Sequence, residues 1–140
     1  MKNTLLIILA VFIGLQFIPA KIKNPQTDPT LEISAEPEVM AIFKRSCYDC
    51  HSNSSNIPWY QSVAPASFFV KNHVDLGRKW LNFSTWENYT DEEKDKRLKG
   101  IFRTVYAAMP LSSYVLLHKE AELTKEEIQR IRDWTGKAPF

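Results

Sequence analysis

The segment "CYDCH", residues 47 to 51, constrains the fold of this chain more than any other feature. It sets two thiols one helical turn apart and adds an imidazole directly after the second thiol. Cys47 and Cys50 are the only cysteines among 140 residues, so no framework of several disulfides can replace a hydrophobic core. Any special sulfur chemistry therefore takes place at this motif, and the remaining residues must form a domain that presents it.

Length and charge limit the class of protein. A chain of 140 residues with 44% hydrophobic side chains is long enough for one core and too short for two typical domains. The formal net charge of +2 and the absence of long Lys/Arg runs give no indication of a nucleic-acid partner. We therefore expect one domain that does not bind nucleic acid.

The N-terminal segment indicates the compartment. Residues 5–20, "LLIILAVFIGLQFIPA", are apolar except for Gln16 and follow Lys2, as in an export signal. As a helix the segment would be roughly 24 Å long, against ~30 Å for the hydrocarbon core of a bilayer. Ile18 is a poor residue for a signal-peptidase site that ends at Ala20. Residues 1–20 are thus predicted to be a signal peptide or, preferably, an uncleaved anchor in the inner membrane.

Residues 21–36 contain prolines and few large apolar side chains, which predicts a flexible tether. The folded domain is then expected over residues 37–140, on the periplasmic or other extracytoplasmic side, or exported if the signal is cleaved.

The domain reads as all-α. Residues 37–46 place Val39, Ile42 and Phe43 on one helical face. Residues 65–83 align apolar residues and one histidine at three- and four-residue steps, which predicts an inward stripe of Phe69, His73, Leu76, Trp80 and Phe83. Four or five short helices with long loops are expected in total.

Two capping boxes mark the later helices. Thr90 with Glu93 opens a helix whose apolar face continues to Met109, where Pro110 disfavours further helical backbone. The residues on that face are Leu98, Ile101, Phe102, Val105 and Tyr106. Thr124 with Glu127 opens a last helix with Ile128, Ile131 and Trp134 directed to the core.

Three kinds of site use two cysteines and a histidine. A thioredoxin-type dithiol normally lies between a strand and a helix, and no strand pattern flanks "CYDC". A zinc site could combine Cys47 and Cys50 with two of His51, His73 and His118, but His51 directly abuts Cys50, closer than structural zinc ligands usually stand. Covalent haem attachment needs every fixed residue of the motif: two thiols that add to the porphyrin vinyl groups, and a histidine under the iron.

Haem c is therefore the favoured cofactor, with Cys47 and Cys50 as its thioether attachments and His51 as the proximal iron ligand. Export agrees, because bacterial haem attachment occurs outside the cytoplasmic membrane. The four tryptophans, five tyrosines and eight phenylalanines supply walls for an apolar macrocycle.

The second axial position is open between several candidates. Met109 is preferred because it lies at a helix exit on an apolar stripe, and a His/Met pair is a known axial set that raises the reduction potential. His73 is the alternative, His118 is another candidate, and the position could also lack a protein ligand. Arg78 and Lys79 are candidates for neutralising the haem propionates, or simply end a solvated helix.

Longer stretches carry a resemblance. The span from "FKRSCYDCHSN" through "MP" to "LTKEEIQRIRDW" resembles class I c-type cytochromes. More narrowly, "CYDCHSN", "IPWYQSVAP", "HVDLGRKWLNFSTW" and "MPLSSYVLLHKEAELTKEE" look like the small bacterial haem-binding domain proteins, which are anchored in the membrane at the N-terminus. The likeness covers roughly residues 36–135. It implies a cytochrome c-like bundle around one covalent haem, thioethers at Cys47 and Cys50, and proximal His51.

Two functions are expected from these residues. The first is a membrane-tethered electron carrier that exchanges electrons with redox partner proteins. The second is a haem-based ligand sensor or small peroxidase with an open or displaceable distal site. No catalytic constellation stands out in the sequence, so the expectation is a protein without enzymatic activity, with a peroxidase reaction left open.

Overall fold

The computed structural model describes residues 1–138 and is all-helical, with no strand in that range. This confirms the predicted all-α class, although the described part of the domain, residues 37–138, contains six α-helices instead of the four or five expected. The α-helices are α1 (Lys2–Leu15), α2 (Pro37–Ser46), α3 (Tyr48–His51), α4 (Ala66–Trp80), α5 (Asp91–Ala107), α6 (Ser112–Val115) and α7 (Lys125–Trp134). Short 3₁₀ helices cover Pro29–Leu31, Trp59–Ser62, Phe83–Asn88 and Lys119–Ala121, and the third of these is interrupted by a kink at Thr85.

Both predicted capping boxes are present. The Thr90 hydroxyl accepts from the Glu93 amide, and the Glu93 carboxylate accepts from the Thr90 amide at 2.9 Å. Thr124 and Glu127 repeat the arrangement at the start of α7. These reciprocal bonds satisfy amides that have no partner within the helix, so both helices begin where the sequence predicts.

The core lies where α2, α5, α7 and the 3₁₀ turn after α4 meet. Phe43 of α2 stacks on Phe83 at 4.9 Å between ring centroids, and Trp134 of α7 meets Phe43 edge-on at 5.2 Å. Ile131 is fully buried. The inward faces predicted for α2 and α7 are confirmed, and so is that of α5 except for Tyr106, which is 74% exposed.

The predicted inward stripe of α4 is wrong except at Phe83, which lies beyond the end of the helix and is buried. Phe69 and Trp80 are 66% and 69% exposed, and His73 and Leu76 are exposed with them. The buried face instead consists of Ser67, Val74 and Gly77. A helix with small residues on one side can approach another backbone closely, and here that close approach decides which face is buried.

The N-terminal helix begins earlier and ends earlier than the apolar segment predicted from the sequence, residues 5–20. Helix α1 has 14 residues, none of them buried, and its C-terminal end is held to the domain by Gln16, whose amide group pairs with the Ala64 backbone. Within residues 1–138, no helix combines the length and apolar character needed to cross a membrane.

The segment expected to be a flexible tether, residues 21–36, packs on the helical domain. Ile22 and Ile33 are buried, and the Ile33 amide donates to the Phe83 carbonyl at 2.9 Å. The side-chain amide of Asn24 donates to the Ser55 carbonyl at 2.9 Å. The two buried isoleucines and these hydrogen bonds hold the segment on the helical domain, whereas its proline content predicted a flexible tether.

Candidate functional site

The motif forms a single helical turn between two helices. Helix α2 ends at Ser46, Cys47 is the junction, and α3 carries the rest of the motif. The amide of His51 donates to the Cys47 carbonyl at 3.0 Å, which closes the turn. Residues three and four apart share one helix face, so Cys47 lies on the same side as Cys50 and His51.

The two thiols are not activated. Both cysteines are free and partly buried, and burial raises the pKa of Cys47 to about 12 and that of Cys50 to about 11. Each thiol is therefore protonated at neutral pH. Redox-active dithiols instead have depressed pKa values, so the thioredoxin-type interpretation gains no support.

The zinc interpretation is not supported either. Among residues 1–138, no group of three or more His, Cys, Asp and Glu is arranged to hold a metal ion. His73 is exposed on α4, and His118 makes its hydrogen bonds to Tyr60 and Glu120. Neither histidine joins the two cysteines.

His51 is oriented by a backbone carbonyl. Its Nδ1 lies 3.0 Å from the Leu81 oxygen, and because that oxygen can only accept, Nδ1 carries the proton. Burial lowers the pKa of the imidazole, while backbone hydrogen bonds to Leu81 and Gly77 act in the opposite direction. A neutral ring whose Nδ1 donates to a carbonyl has a free lone pair at Nε2, as metal-binding histidines do.

A large cavity opens beside this histidine. Its volume is about 940 Å³, at the upper end of the usual range of ~300–1,000 Å³ for cofactor and ligand sites. Cys47 and His51 line it, and Met109 lines it as well. The other apolar lining residues include Phe43, Trp80, Leu81, Phe83, Ile101, Val105, Leu123 and Ile131.

Met109 follows α5 directly. Its amide donates to the Thr104 carbonyl at 2.8 Å, and its side chain is 36% exposed while also facing the cavity. The structure thus brings Met109, which is distant in sequence, to the cavity that Cys47 and His51 of the motif also line. It does not bring His73 or His118 to the cavity.

Arg78 does not line the cavity, and its guanidinium forms hydrogen bonds with other segments of the protein. Its guanidinium donates to the Ser52 carbonyl at 2.7 Å and to both Asn24 Oδ1 and Ser55 Oγ at 2.8 Å. It therefore clamps the segment before α2 to the loop after the motif. Lys79, its neighbour, does line the cavity.

The Arg78 clamp gives a first prediction. Arg78→Lys is expected to lower the free energy of unfolding by about 1–3 kcal/mol, because an ammonium cannot reproduce the guanidinium contacts and leaves acceptors unpaired. Urea unfolding of the full chain measures this, with Lys79→Arg as the control that keeps the charge one residue further on. Unchanged stability of Arg78→Lys would contradict the clamp.

The contacts that hold the motif in place were not predicted from the sequence. Asp49, between the two cysteines, accepts from the Tyr114 hydroxyl at 2.6 Å and from the Asn56 amide at 2.9 Å. Tyr114 stacks on His118 at 4.3 Å between ring centroids. These contacts join the segment after Met109 to the motif. Their partners are distant in sequence, and only Gly77, a glycine inside a predicted helix, gave a local signal of close packing.

The residues present fit an iron porphyrin. The donor set is a neutral imidazole with a free Nε2 and a thioether, both soft enough for haem iron, on the walls of one apolar cavity. The thiol of Cys47 lines the same cavity, whereas Cys50 is not among its lining residues. An all-helical domain with an apolar cavity of this size and an imidazole inside it belongs to the class of helical cofactor-binding proteins.

Comparison with known proteins specifies the cofactor. The family described as "Haem-binding domain" matches residues 10–137, which is nearly the whole chain. The chain therefore belongs to the haem-binding domain family and is a haem-binding protein. No significant match was found among curated proteins or solved structures.

Proposed function

We propose that the chain carries one haem c, attached through thioether bonds from Cys47 and Cys50, with His51 as the proximal ligand. In attachment, each thiol adds across a vinyl group: sulfur bonds to one vinyl carbon and the hydrogen goes to the other. The observation that carries the proposal is the His51 ring, whose Nδ1 is bound by the Leu81 carbonyl while Nε2 stays free beside the cavity that Cys47 lines.

Met109 is proposed as the distal ligand. Its support is its position on the wall of the same cavity as His51, together with the affinity of thioethers for haem iron. His73, the alternative considered from sequence, is exposed on α4 and is not proposed.

The proposed role is that of an extracytoplasmic electron carrier. A bound haem supplies a one-electron centre, and a His/Met pair raises its potential. The chain's own part is to hold the imidazole through Leu81 and to exclude water with apolar walls. The apolar N-terminal segment supports export to the periplasmic side, tethered to the inner membrane or released, where redox partner proteins would exchange electrons with the haem.

A second candidate is a haem-based ligand sensor or small peroxidase. The observation that favours it is the partial exposure of Met109, since a ligand from solvent can displace a residue at the cavity mouth. Carbon monoxide added to the reduced protein separates the two. Rapid binding without loss of a protein ligand supports the sensor or peroxidase, and slow binding limited by Met109 release supports the carrier.

The covalent link itself is tested by a pyridine haemochrome spectrum. The protein is produced in a host that has haem-attachment machinery and is then denatured and extracted with acidic organic solvent. Haem that stays with the chain and gives the spectrum of a doubly thioether-linked porphyrin is the expected result. Complete extraction of the haem would overturn the proposal.

Met109→Ala gives the prediction for the distal side. Loss of the thioether is expected to remove the iron–sulfur charge-transfer band and to lower the reduction potential, because thioether ligation stabilises ferrous iron. The matched control is Met40→Ala, since Met40 packs against the core away from the cavity. If Met109→Ala keeps the band and the potential, Met109 is not the ligand.

A further inference from the structure

One wall of the cavity is charged. The α5 residues that line it carry both signs, among them Asp95, Lys96, Arg97 and Lys99, and Lys79 joins them from the end of α4. The charges on this wall differ in whether they already have protein partners. That difference indicates which of them remain available to a ligand.

Two of the cations are engaged. Lys99 forms an ion pair with Asp95 at 2.7 Å, one helical turn away. The Arg97 guanidinium lies over the Tyr89 ring, 3.6 Å from its centroid. The pair with Asp95 accounts for the charge of Lys99. Arg97 also donates from Nη1 to the Glu93 carbonyl at 3.4 Å, while its buried Nε has no hydrogen-bond partner within residues 1–138.

Lys79 and Lys96 are different. Both are exposed and line the cavity, and neither side chain forms a hydrogen bond or a close ion pair within the described residues 1–138. Lys96 does interact electrostatically with the exposed carboxylate of Glu93, which lines the same cavity. An ammonium group has three donors and no acceptor, so its natural partner is an anion. The cavity wall therefore offers two ammonium groups that no protein acceptor within residues 1–138 holds by a hydrogen bond.

Gly100 adds an independent observation. It lies one helical turn after Lys96, inside α5, where glycine destabilises a helix relative to alanine. It also lines the cavity, and apart from its chain neighbours and the nearby backbone of α5, no described atom lies within 4 Å of the place that a Cβ would occupy. Protein packing therefore does not require a glycine here, whereas a flat ligand against the helix would.

We propose that Lys79 and Lys96 bind the two carboxylates of the haem, and that Gly100 lets the macrocycle lie against α5. The inference rests on the proposed function and extends it to the orientation of the cofactor. Haem has its vinyl groups and its carboxylates on opposite edges, so attachment at the vinyl edge leaves the carboxylates free to meet these cations.

The test uses the full-length protein with its haem attached. The reduction potential is measured as a function of pH, which reports the pKa of the haem carboxylates. Lys79→Met and Lys96→Met are each expected to raise that pKa by about one unit, because an adjacent cation favours the ionised carboxylate. The transition in potential then moves to higher pH. Lys96→Arg, which keeps the charge, should stay near the parent protein.

Lys99→Met is the matched control, since Lys99 lies on the same wall but is paired with Asp95. It should leave the transition in place. Equal shifts in all three methionine variants would reveal a general charge effect and overturn the assignment, and so would unchanged transitions in Lys79→Met and Lys96→Met.

Gly100→Ala tests whether the macrocycle lies against α5, because the presence or absence of that contact changes the Tm in opposite directions. Helix propensity alone would raise the Tm of the haem-loaded protein, whereas a methyl group against the macrocycle is expected to lower it by about 4 °C or more. A raised Tm removes Gly100 from the proposal. A parent protein without covalent haem would refute the proposed function, whereas a haem-loaded parent whose lysine variants behave normally would refute only this inference.

Discussion

Replacing both motif cysteines, Cys47→Ala with Cys50→Ala, is expected to abolish covalent haem. Without either thiol no thioether can form, so acidic organic solvent should extract all haem and the denatured chain should show no haem stain. This is an all-or-none change in covalently bound haem, measured per mole of protein by the pyridine haemochrome spectrum. Each single substitution should leave one thioether and the spectrum of a porphyrin with one unreacted vinyl group.

Ser54→Ala is the control for this experiment, because Ser54 lies in the loop directly after the motif and its side chain is exposed. It should retain the haem content of the parent protein. Covalent haem in the double alanine variant would show that the attachment lies elsewhere and would remove the central claim about Cys47 and Cys50.

Of the glycine-to-alanine substitutions proposed, Gly77→Ala is expected to lower the free energy of unfolding most. A Cβ at position 77 would overlap the Cys50 carbonyl oxygen and lie 3.0 Å from its carbonyl carbon. These are backbone atoms that no rotamer change can move, so α4 and α3 must separate. Overpacking of this kind costs about 1–3 kcal/mol of the free energy of unfolding.

The effect of Gly77→Ala should extend to the haem. His51 takes its orientation from the Leu81 carbonyl, which directly follows α4, so a displaced α4 also displaces the imidazole. We expect a lower yield of haem-loaded protein together with the lost stability, measured by absorbance and by urea unfolding. Gly14→Ala is the control, because no atom lies within 4 Å of a Cβ there. Parent-like stability and haem yield for Gly77→Ala would contradict the close packing of α4 on the motif.

Several features of the fold could be predicted from local sequence. The all-α class follows from helical periodicity, and the starts of α5 and α7 follow from capping boxes that involve residues three positions apart. The inward face of α2 was predicted because its apolar residues all lie on one side. In each case the determining interaction is short in sequence or repeats along one helix.

The buried face of α4 could not be predicted in this way. Counting apolar residues selects the side with Phe69 and Trp80, yet the buried side carries Gly77, which contributes no hydrophobic area. Because Gly77 has no side chain, the backbone of α4 can approach the backbone of Cys50 in α3 closely. Likewise, the prolines of residues 21–36 predicted a tether, while the burial of Ile22 and Ile33 depends on surfaces formed by distant segments.

In the candidate site too, some residues could be predicted from the sequence and others depend on the tertiary structure. The motif "CYDCH" and the residues Cys47, Cys50 and His51 were evident from sequence, because covalent attachment needs those groups in that order and the spacing is local. The tertiary structure decided the rest. It placed Met109 on the cavity that His51 lines, left His73 exposed, engaged Arg78 in hydrogen bonds between two segments, and left Lys79 and Lys96 without a hydrogen-bonded partner among residues 1–138. Local spacing determines which chemistry a chain can offer, but the groups that surround it come from helices that meet only when the core forms.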